Sequence, residues 1–260
     1  MGCLHLGHLS LVEKSKQLAD YQVMSIFVNK IQFNDSNDYS SYPRTLEKDL
    51  QLAEETGVDL VFLPDEAEMY SNSLTRVIVD KLTANLCGAF REGHFTGVFT
   101  VVAKLFNLVQ PDYAIFGQKD IQQVIGVEKM VFDLNFPVKV IIHPIVREKD
   151  GLAMSSRNKH LGARDRKKAL VLYKSLKKAE NMIIAGEKSA EAVISKMKEI
   201  VKSGHPDKID YISVAKGEDL SLTTEIKNKT IIALAVFWGS TRLIDNMIIG
   251  EFDQNLKCIY

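Results

Sequence analysis

Apolar residues change their spacing along the first 147 positions in a repeating way. Leu11, Val12, Ser15, Leu18 and Ala19 fall on one helical face, which predicts a helix over about residues 8–19. Val23 to Val28 is a nearly unbroken apolar run, the signature of a short strand buried on both faces. Pro43 suits the first turn of the next helix, with Leu46, Leu50 and Ala53 facing inward and Gly57 as its stop. Leu60 to Leu63 reads as a second buried strand. Val101 to Val109 then reads as a helix, Tyr113 to Phe116 as a strand, Gln122 to Asn135 as a helix and Val138 to Ile142 as a strand. Such alternation predicts an α/β fold with a doubly wound parallel sheet and helices on both faces.

After residue 147 the pattern changes. Arg164 to Ala185 and Ala190 to Val201 read as charged amphipathic helices. Asp210 to Val214, Ile231 to Trp238 and Thr241 to Ile244 read as strands, with Gly239-Ser240 as a tight turn between the last two and Trp238 in the core. The expected organisation is a parallel α/β domain over 1–147 and a smaller α+β domain over 148–260.

Composition narrows the function classes. Lys plus Arg and Asp plus Glu are both 33, so formal charge is zero. Nucleic acid is therefore not expected as a partner, because phosphate neutralisation needs surplus positive charge. No apolar run reaches the ~18 residues of a membrane span, and Met1 to His5 lacks the layout of a signal peptide. Leu6 stands where an N-myristoylation signal needs Ser or Thr. Cys3, Cys87 and Cys258 are odd in number and far apart, which points to a reducing, cytoplasmic setting and away from a disulfide framework or a Cys-x-x-Cys metal site.

Three loops carry candidate chemistry. His5-Leu6-Gly7-His8 precedes a predicted helix, whose start offers free N–H groups and positive dipole to an anion. The two histidines can share one phosphate, with Gly7 allowing close approach to the backbone; the plain alternative is a surface turn. Gly117-Gln118-Lys119-Asp120 follows a strand and opens a helix, the place where ligands bind in open α/β sheets. There Gly117 permits the turn, Lys119 supplies a compact positive charge, and Asp120 either caps the helix or holds Mg²⁺ through water; an ordinary βα loop is the alternative. Met154-Ser155-Ser156-Arg157 combines two hydroxyls with a guanidinium, suited to polyphosphate oxygens, or else is a polar linker.

Taken together, a histidine pair near the start and a Ser/Arg loop downstream resemble the HIGH-motif nucleotidyltransferases. The segments MGCLHLGHLSLV, SIFVNKIQF, YPRTLEKDL, GVDLVFLP, REGHFTGVFTVVAKLFNLVQPDYAIFGQKDIQQV, VREKDGLAMSSRNKHL and FWGSTRLIDN closely resemble, in order, the pantothenate synthetase (pantoate–β-alanine ligase) family. The resemblance implies a Rossmann-like N-terminal domain, with the smaller domain as a lid. It implies that pantoate, ATP and Mg²⁺ give pantoyl adenylate and pyrophosphate, and that β-alanine then releases AMP and pantothenate. It implies a catalytic set of His5, His8, Lys119, Ser155, Ser156 and Arg157, with His8 as proton donor. Its nucleotide-binding set is Met1, Gly2, Cys3, Leu4, His5, Leu6, Gly7, His8, Gly117 to Asp120 (including Gln118), Val146 and Met154 to Arg157. Gln32 and Gln123 would hold pantoate, and no direct protein ligands to a metal are assigned. Asn29, at the end of a predicted strand, fits a ligand contact or a turn equally. Arg91 and His94 lie in a matching block and fit either a basic role near the dimer interface or active site or a structural role in a loop, and are left outside the expected site. A homodimer is also implied.

The chain departs from the family at its start: members carry a helix and a strand ending in Pro-Thr ahead of the Met-Gly that begins this sequence. Loss of a central first strand would leave neighbouring strands unpaired. The expectation is therefore a further upstream segment in the natural product. The alternative is a truncated, catalytically impaired nucleotide-binding homologue. Gln118 stands where Glu is usual, Leu6 where an acidic residue is common, and Lys30 where proline is common.

Overall fold

A computed structural model describes residues 1–250. In chain order its elements are α1 (Leu6–Lys16), β1 (Val23–Ser25), α2 (Ser36–Ser41), α3 (Leu46–Glu55), β2 (Leu60–Phe62), α4 (Glu66–Tyr70), α5 (Leu86–Phe90), α6 (His94–Val109), β3 (Tyr113–Gly117), α7 (Ile121–Asp133), β4 (Lys139–His143), α8 (Ala163–Lys168), α9 (Val171–Ile184), α10 (Ala190–Ser203), β5 (Lys208–Lys216), β6 (Thr230–Trp238) and β7 (Thr241–Ile249). Short 3₁₀ turns at Lys30–Gln32, Gln118–Asp120 and Ser156–His160 carry site residues.

The α/β expectation holds, with parallel pairing throughout the N-terminal part and an antiparallel sheet in the C-terminal part. The parallel strands form two pairs, β1–β2 and β3–β4, rather than one continuous sheet. A furrow lined by Val23 to Ser25 on one side and Tyr113 to Gly117 on the other separates the pairs. Its walls are strand edges with no strand between them among the described residues, at the place where the sequence leads one to expect a further central strand. Residue 1 already pairs with the edge of the β1 segment: Met1 N donates to Ser25 O at 2.8 Å and Phe27 N donates to Met1 O at 3.0 Å.

Several sequence expectations need correction. The strand expected over 23–28 is only three residues long, because Ile26 and Phe27 donate to Phe62 and Met1 outside a regular ladder. The strand at Leu60 is not buried: Leu60 is 44% exposed, having a partner on one side alone. Pro43 precedes its helix, which begins after Thr45, and Leu46 is exposed while Asp49 is buried. The first helix starts at Leu6, two residues early, because His5 serves as its N-cap. The helix expected over 164–185 breaks at Ala169-Leu170 into α8 and α9. The 101–109 helix extends back to His94, where Gly93 supplies the left-handed turn (φ 74°). The β6–β7 hairpin turns at Gly239 as expected, with φ 58°. Trp238 is core, its Nε1 donating to Gly204 O at 3.1 Å. Cys3 and Cys87 are free thiols; Cys258 lies outside the described residues. Among the described residues no helix is long and apolar enough to cross a membrane.

Asp49 explains how α3 serves the site. Its carboxylate accepts from the N–H groups of Cys3 (2.8 Å) and Leu4 (2.7 Å) and from Thr45 Oγ1 (3.1 Å), so it sets the loop that leads into His5. Asp49→Ala leaves two buried N–H groups without acceptors, each worth about 1–3 kcal/mol. The expected result is a melting midpoint lower by roughly 5–15 °C. A midpoint unchanged in thermal denaturation would contradict this role.

Candidate active site

The three candidate loops meet around one cavity, which with the furrow between β1 and β3 that it runs into has a volume of about 670 Å³. Its lining includes His5, Gly7, His8, Gln32, Lys119, Asp120, Gln123, Val146 and Met154 to Arg157. Met1 and Gly117 line it as well. Gly2, Cys3, Leu4, Leu6 and Gln118, expected at the nucleotide, lie outside this lining. Gly2, Cys3 and Leu4 are buried, Leu6 is solvent-exposed, and Gln118 turns toward β7.

His5 caps α1 with its own ring, Nδ1 accepting from Gly7 N at 3.1 Å. That bond assigns the neutral ring's proton to Nε2. The space over Gly7 is taken by this ring, since a Cβ there would sit 3.0 Å from the His5 ring atoms. Gly7 thus serves the fold of the histidine loop itself. The His5 and His8 rings stack with centroids 4.0 Å apart. His8 Nδ1 is buried and has no hydrogen-bond partner among the described residues.

Burial drives the His8 pKa down to about 3, helped by the nearby His5, the chain amino terminus and Lys119. His5 is lowered too, by burial first and then by Lys119 and Lys159. Both rings are therefore neutral donors near neutral pH in the unliganded protein. In that state His8 offers a neutral N–H. His94 behaves alike, lowered to about 4 by burial and then by Arg91. Histidines with depressed folded pKa values stabilise the fold fully above about pH 6.5, and this is lost as pH falls toward their folded values. At pH 5 each of His8 and His94 is expected to withdraw about 2 kcal/mol. Melting midpoints measured from pH 7 to 5 should fall, and His8→Gln should flatten the fall; an unchanged slope in that variant would contradict the assignment.

The Gly117–Asp120 loop departs from expectation in two details. Gly117 has φ −77° and open space where a Cβ would stand, so the turn does not demand glycine. Asp120 precedes α7 without capping it; its Oδ2 instead takes Lys119 Nζ at 3.0 Å. Burial would raise the Asp120 pKa, but the Lys119 ammonium outweighs it and holds the carboxyl below its usual value.

Ser155 caps the 3₁₀ turn at residues 156–160, accepting from Arg157 N at 3.3 Å. Ser156 donates to Tyr42 Oη at 3.2 Å. Arg157 Nη2 donates to Asp38 Oδ2 at 3.0 Å, so this loop is tied to α2 while its free edge faces the cavity.

Gln32 and Gln123 line the same cavity. Gln32 Oε1 accepts from Asn29 Nδ2 at 3.2 Å, and Asn29 is further fixed by Tyr70 Oη (2.6 Å) and Gly97 O (3.1 Å). Asn29 is thus buried and satisfied, and also faces the cavity. Arg91 and His94, left outside the expected site, line it too. His94 Nδ1 donates to Gln32 O at 2.7 Å, and Arg91 Nη1 donates to His94 Nε2 at 3.1 Å. Both also line an adjoining cavity of about 380 Å³, together with Lys208, Asp210 and Arg242. Their signal in the sequence is weak, because a basic pair in a loop has many ordinary explanations.

Among the described residues, no three His, Cys, Asp or Glu side chains cluster as a metal site. Asp120, its carboxyl held below the usual value, is on the cavity wall, as is Asp112.

Comparisons with known proteins establish the family. A family model described as Pantoate-beta-alanine ligase matches residues 1–248. The pantothenate synthetase of Thermoanaerobacter sp. (strain X514) is 56% identical over 252 residues, covering 96% of this chain and 89% of the relative. That of Desulfitobacterium hafniense (strain DSM 10664 / DCB-2) is 52% identical over 250 residues, with the same coverage of both chains. The crystal structure of pantothenate synthetase from Thermus thermophilus superposes with a TM-score of 0.93 at 43% identity, over 96% of this chain and 91% of that one. A Francisella tularensis pantoate–β-alanine ligase complexed with β-γ ATP and β-alanine gives 0.77 at 34% identity, over 95% of this chain and 87% of its own. With nearly the whole sequence matched and the three loops gathered on one cavity, the chain belongs to the pantoate–β-alanine ligase family.

Proposed function

We propose that the 670 Å³ cavity joins pantoate to β-alanine through a pantoyl adenylate. The chain is an ATP-dependent pantoate–β-alanine ligase; the adenylate route and the roles of individual residues are the proposed part. The observation that carries the reading is the shared lining: the histidine pair, Lys119 and Ser155 to Arg157 all face one space.

In the first step a pantoate carboxylate oxygen attacks the α-phosphorus of ATP, and the bond to the pyrophosphate oxygen breaks. Negative charge grows on phosphate oxygens. The neutral N–H groups of His5 and His8 answer it by hydrogen bonding, while Lys119 and Arg157 answer it as charges and Ser155 and Ser156 as hydroxyl donors. In the second step the β-alanine amine attacks the acyl carbon, loses a proton and expels AMP. Gln32 and Gln123 orient pantoate, since neutral amides fix hydroxyls and carboxylate without adding charge. Asp120 would hold Mg²⁺, which when bound would supply positive charge to neutralise the phosphates. Exclusion of water from the site would protect the mixed anhydride.

The reading as an impaired nucleotide-binding homologue is not favoured, because the family match spans the chain and all three loops reach the cavity. A homodimer belongs to the same proposal and is tested by sedimentation velocity. A cytoplasmic location is supported by the free thiols Cys3 and Cys87 and is tested by cell fractionation.

The test is purified protein with ATP, Mg²⁺ and D-pantoate, with and without β-alanine. Pyrophosphate release should require pantoate, and AMP release should require β-alanine as well. Pyrophosphate formed equally without pantoate would reject the reading.

A further inference from the structure

Asn246 sits on β7, buried, in a part of the chain to which no step has been assigned. Its side-chain amide is wholly engaged with the Lys119 loop. Nδ2 donates to Gln118 O and to Lys119 O, each at 3.0 Å, and Oδ1 accepts from Gln118 Nε2 at 3.1 Å. One amide thus grips two successive peptide carbonyls and the Gln118 side chain.

Asn246 is itself held. Its N–H donates to Asp245 Oδ1 at 2.8 Å, and the Asp245 carboxylate receives both Arg147 nitrogens, at 2.6 and 3.0 Å. Arg147 also donates to Gly151 O at 3.1 Å and lies over the Tyr173 ring at 4.2 Å. Its neighbour Val146 accepts from Met154 N at 3.0 Å, at the base of the Ser155–Arg157 loop. Adjacent residues of β7 therefore connect to both downstream nucleotide loops, and neither residue is assigned a role toward substrate.

We infer that Asn246 is a positioning residue for adenylation: it fixes the Gln118–Lys119 backbone so that Lys119 is presented to the phosphates. Through Asp245 and Arg147, the same strand sets the spacing between Lys119 and the Ser155–Arg157 loop. A geometric error of about 1 Å at a charge-stabilising group is enough to cost two orders of magnitude in rate. The inference rests on the reading of Lys119 as a phosphate ligand.

A double-mutant cycle tests both separately. Asn246→Ala, Lys119→Ala and the double variant are compared by pantoate-dependent pyrophosphate release, by the KM for β-alanine, and by melting midpoint. Asn246→Ala is expected to lower the adenylation rate roughly 10- to 100-fold with the β-alanine KM within about twofold. Once Lys119 is alanine, adding Asn246→Ala should cost less than about threefold, because the two act through one group. Equal losses in both backgrounds, or an undiminished rate in Asn246→Ala, would overturn the inference. An undiminished rate in Lys119→Ala would instead overturn the phosphate-ligand reading and the inference with it. Asn246→Ser retains one donor and is expected to fall between wild type and alanine; run through the same cycle, it decides the matter if the alanine variant does not fold.

Discussion

His8→Ala is expected to slow pantoate-dependent pyrophosphate release by roughly 100- to 1,000-fold, the loss seen when one transition-state donor is removed from a pre-formed anion site. The reason lies in the environment of the ring. His8 Nδ1 is buried without a partner among the described residues, and burial holds the ring neutral, with its pKa lowered to about 3. A neutral N–H gains most when negative charge grows on the phosphate in the transition state. The loss should therefore fall on the rate of the first step, measured by rapid quench, with the KM for ATP changed by less than about fivefold. If adenylate formed at the wild-type rate in this variant, His8 would have no part in the chemistry.

The second large effect concerns stability. Arg147→Ala strands the Asp245 carboxylate, whose side chain is 1% exposed. Burial already raises the pKa of Asp245, and Arg147 is the principal force opposing that rise. Breaking a buried pair from one side costs about 3–5 kcal/mol, so the melting midpoint should drop by roughly 6–20 °C. The double variant Arg147→Ala, Asp245→Asn removes the stranded charge and should recover a large part of the drop. The sign with pH follows from the stranded acid: Asp245 in Arg147→Ala has a folded pKa raised above its unfolded value. The penalty is thus absent below the unfolded carboxylate value and grows as pH rises through it. A midpoint unaffected by Arg147→Ala would show that the pair contributes nothing net.

Local signals read well wherever chemistry and periodicity coincide. The βα alternation, the Gly239 hairpin, the Trp238 core position and the three phosphate-suited loops are all legible in residue types and spacing alone. What is not legible depends on partners far apart in sequence. Asp49 reads as one more charge on an exposed helix face, yet it is buried because Cys3 and Leu4, 46 and 45 residues away, need its oxygens. Asn246 falls just past the strand read over Thr241 to Ile244; its use emerges only when β7, which runs on to Ile249, meets Gln118, 128 residues earlier. Arg91 and His94 escape a sequence reading because a loop pair has no periodicity to betray it. Leu60 reads as a buried strand residue because apolar runs do not say how many neighbours a strand has. The 164–185 helix reads as continuous because its break at Ala169-Leu170 contains neither glycine nor proline.

The most direct measurement of an acyl-adenylate route is the fate of pantoate oxygen. With pantoate carrying ¹⁸O in its carboxylate, one complete turnover should deliver a single ¹⁸O atom to the phosphate of AMP and none to pyrophosphate. Label in pyrophosphate or in free phosphate, or formation of ADP in place of AMP, would mean that the carboxylate is activated at another phosphorus, and that the three loops do not do together what their shared cavity implies.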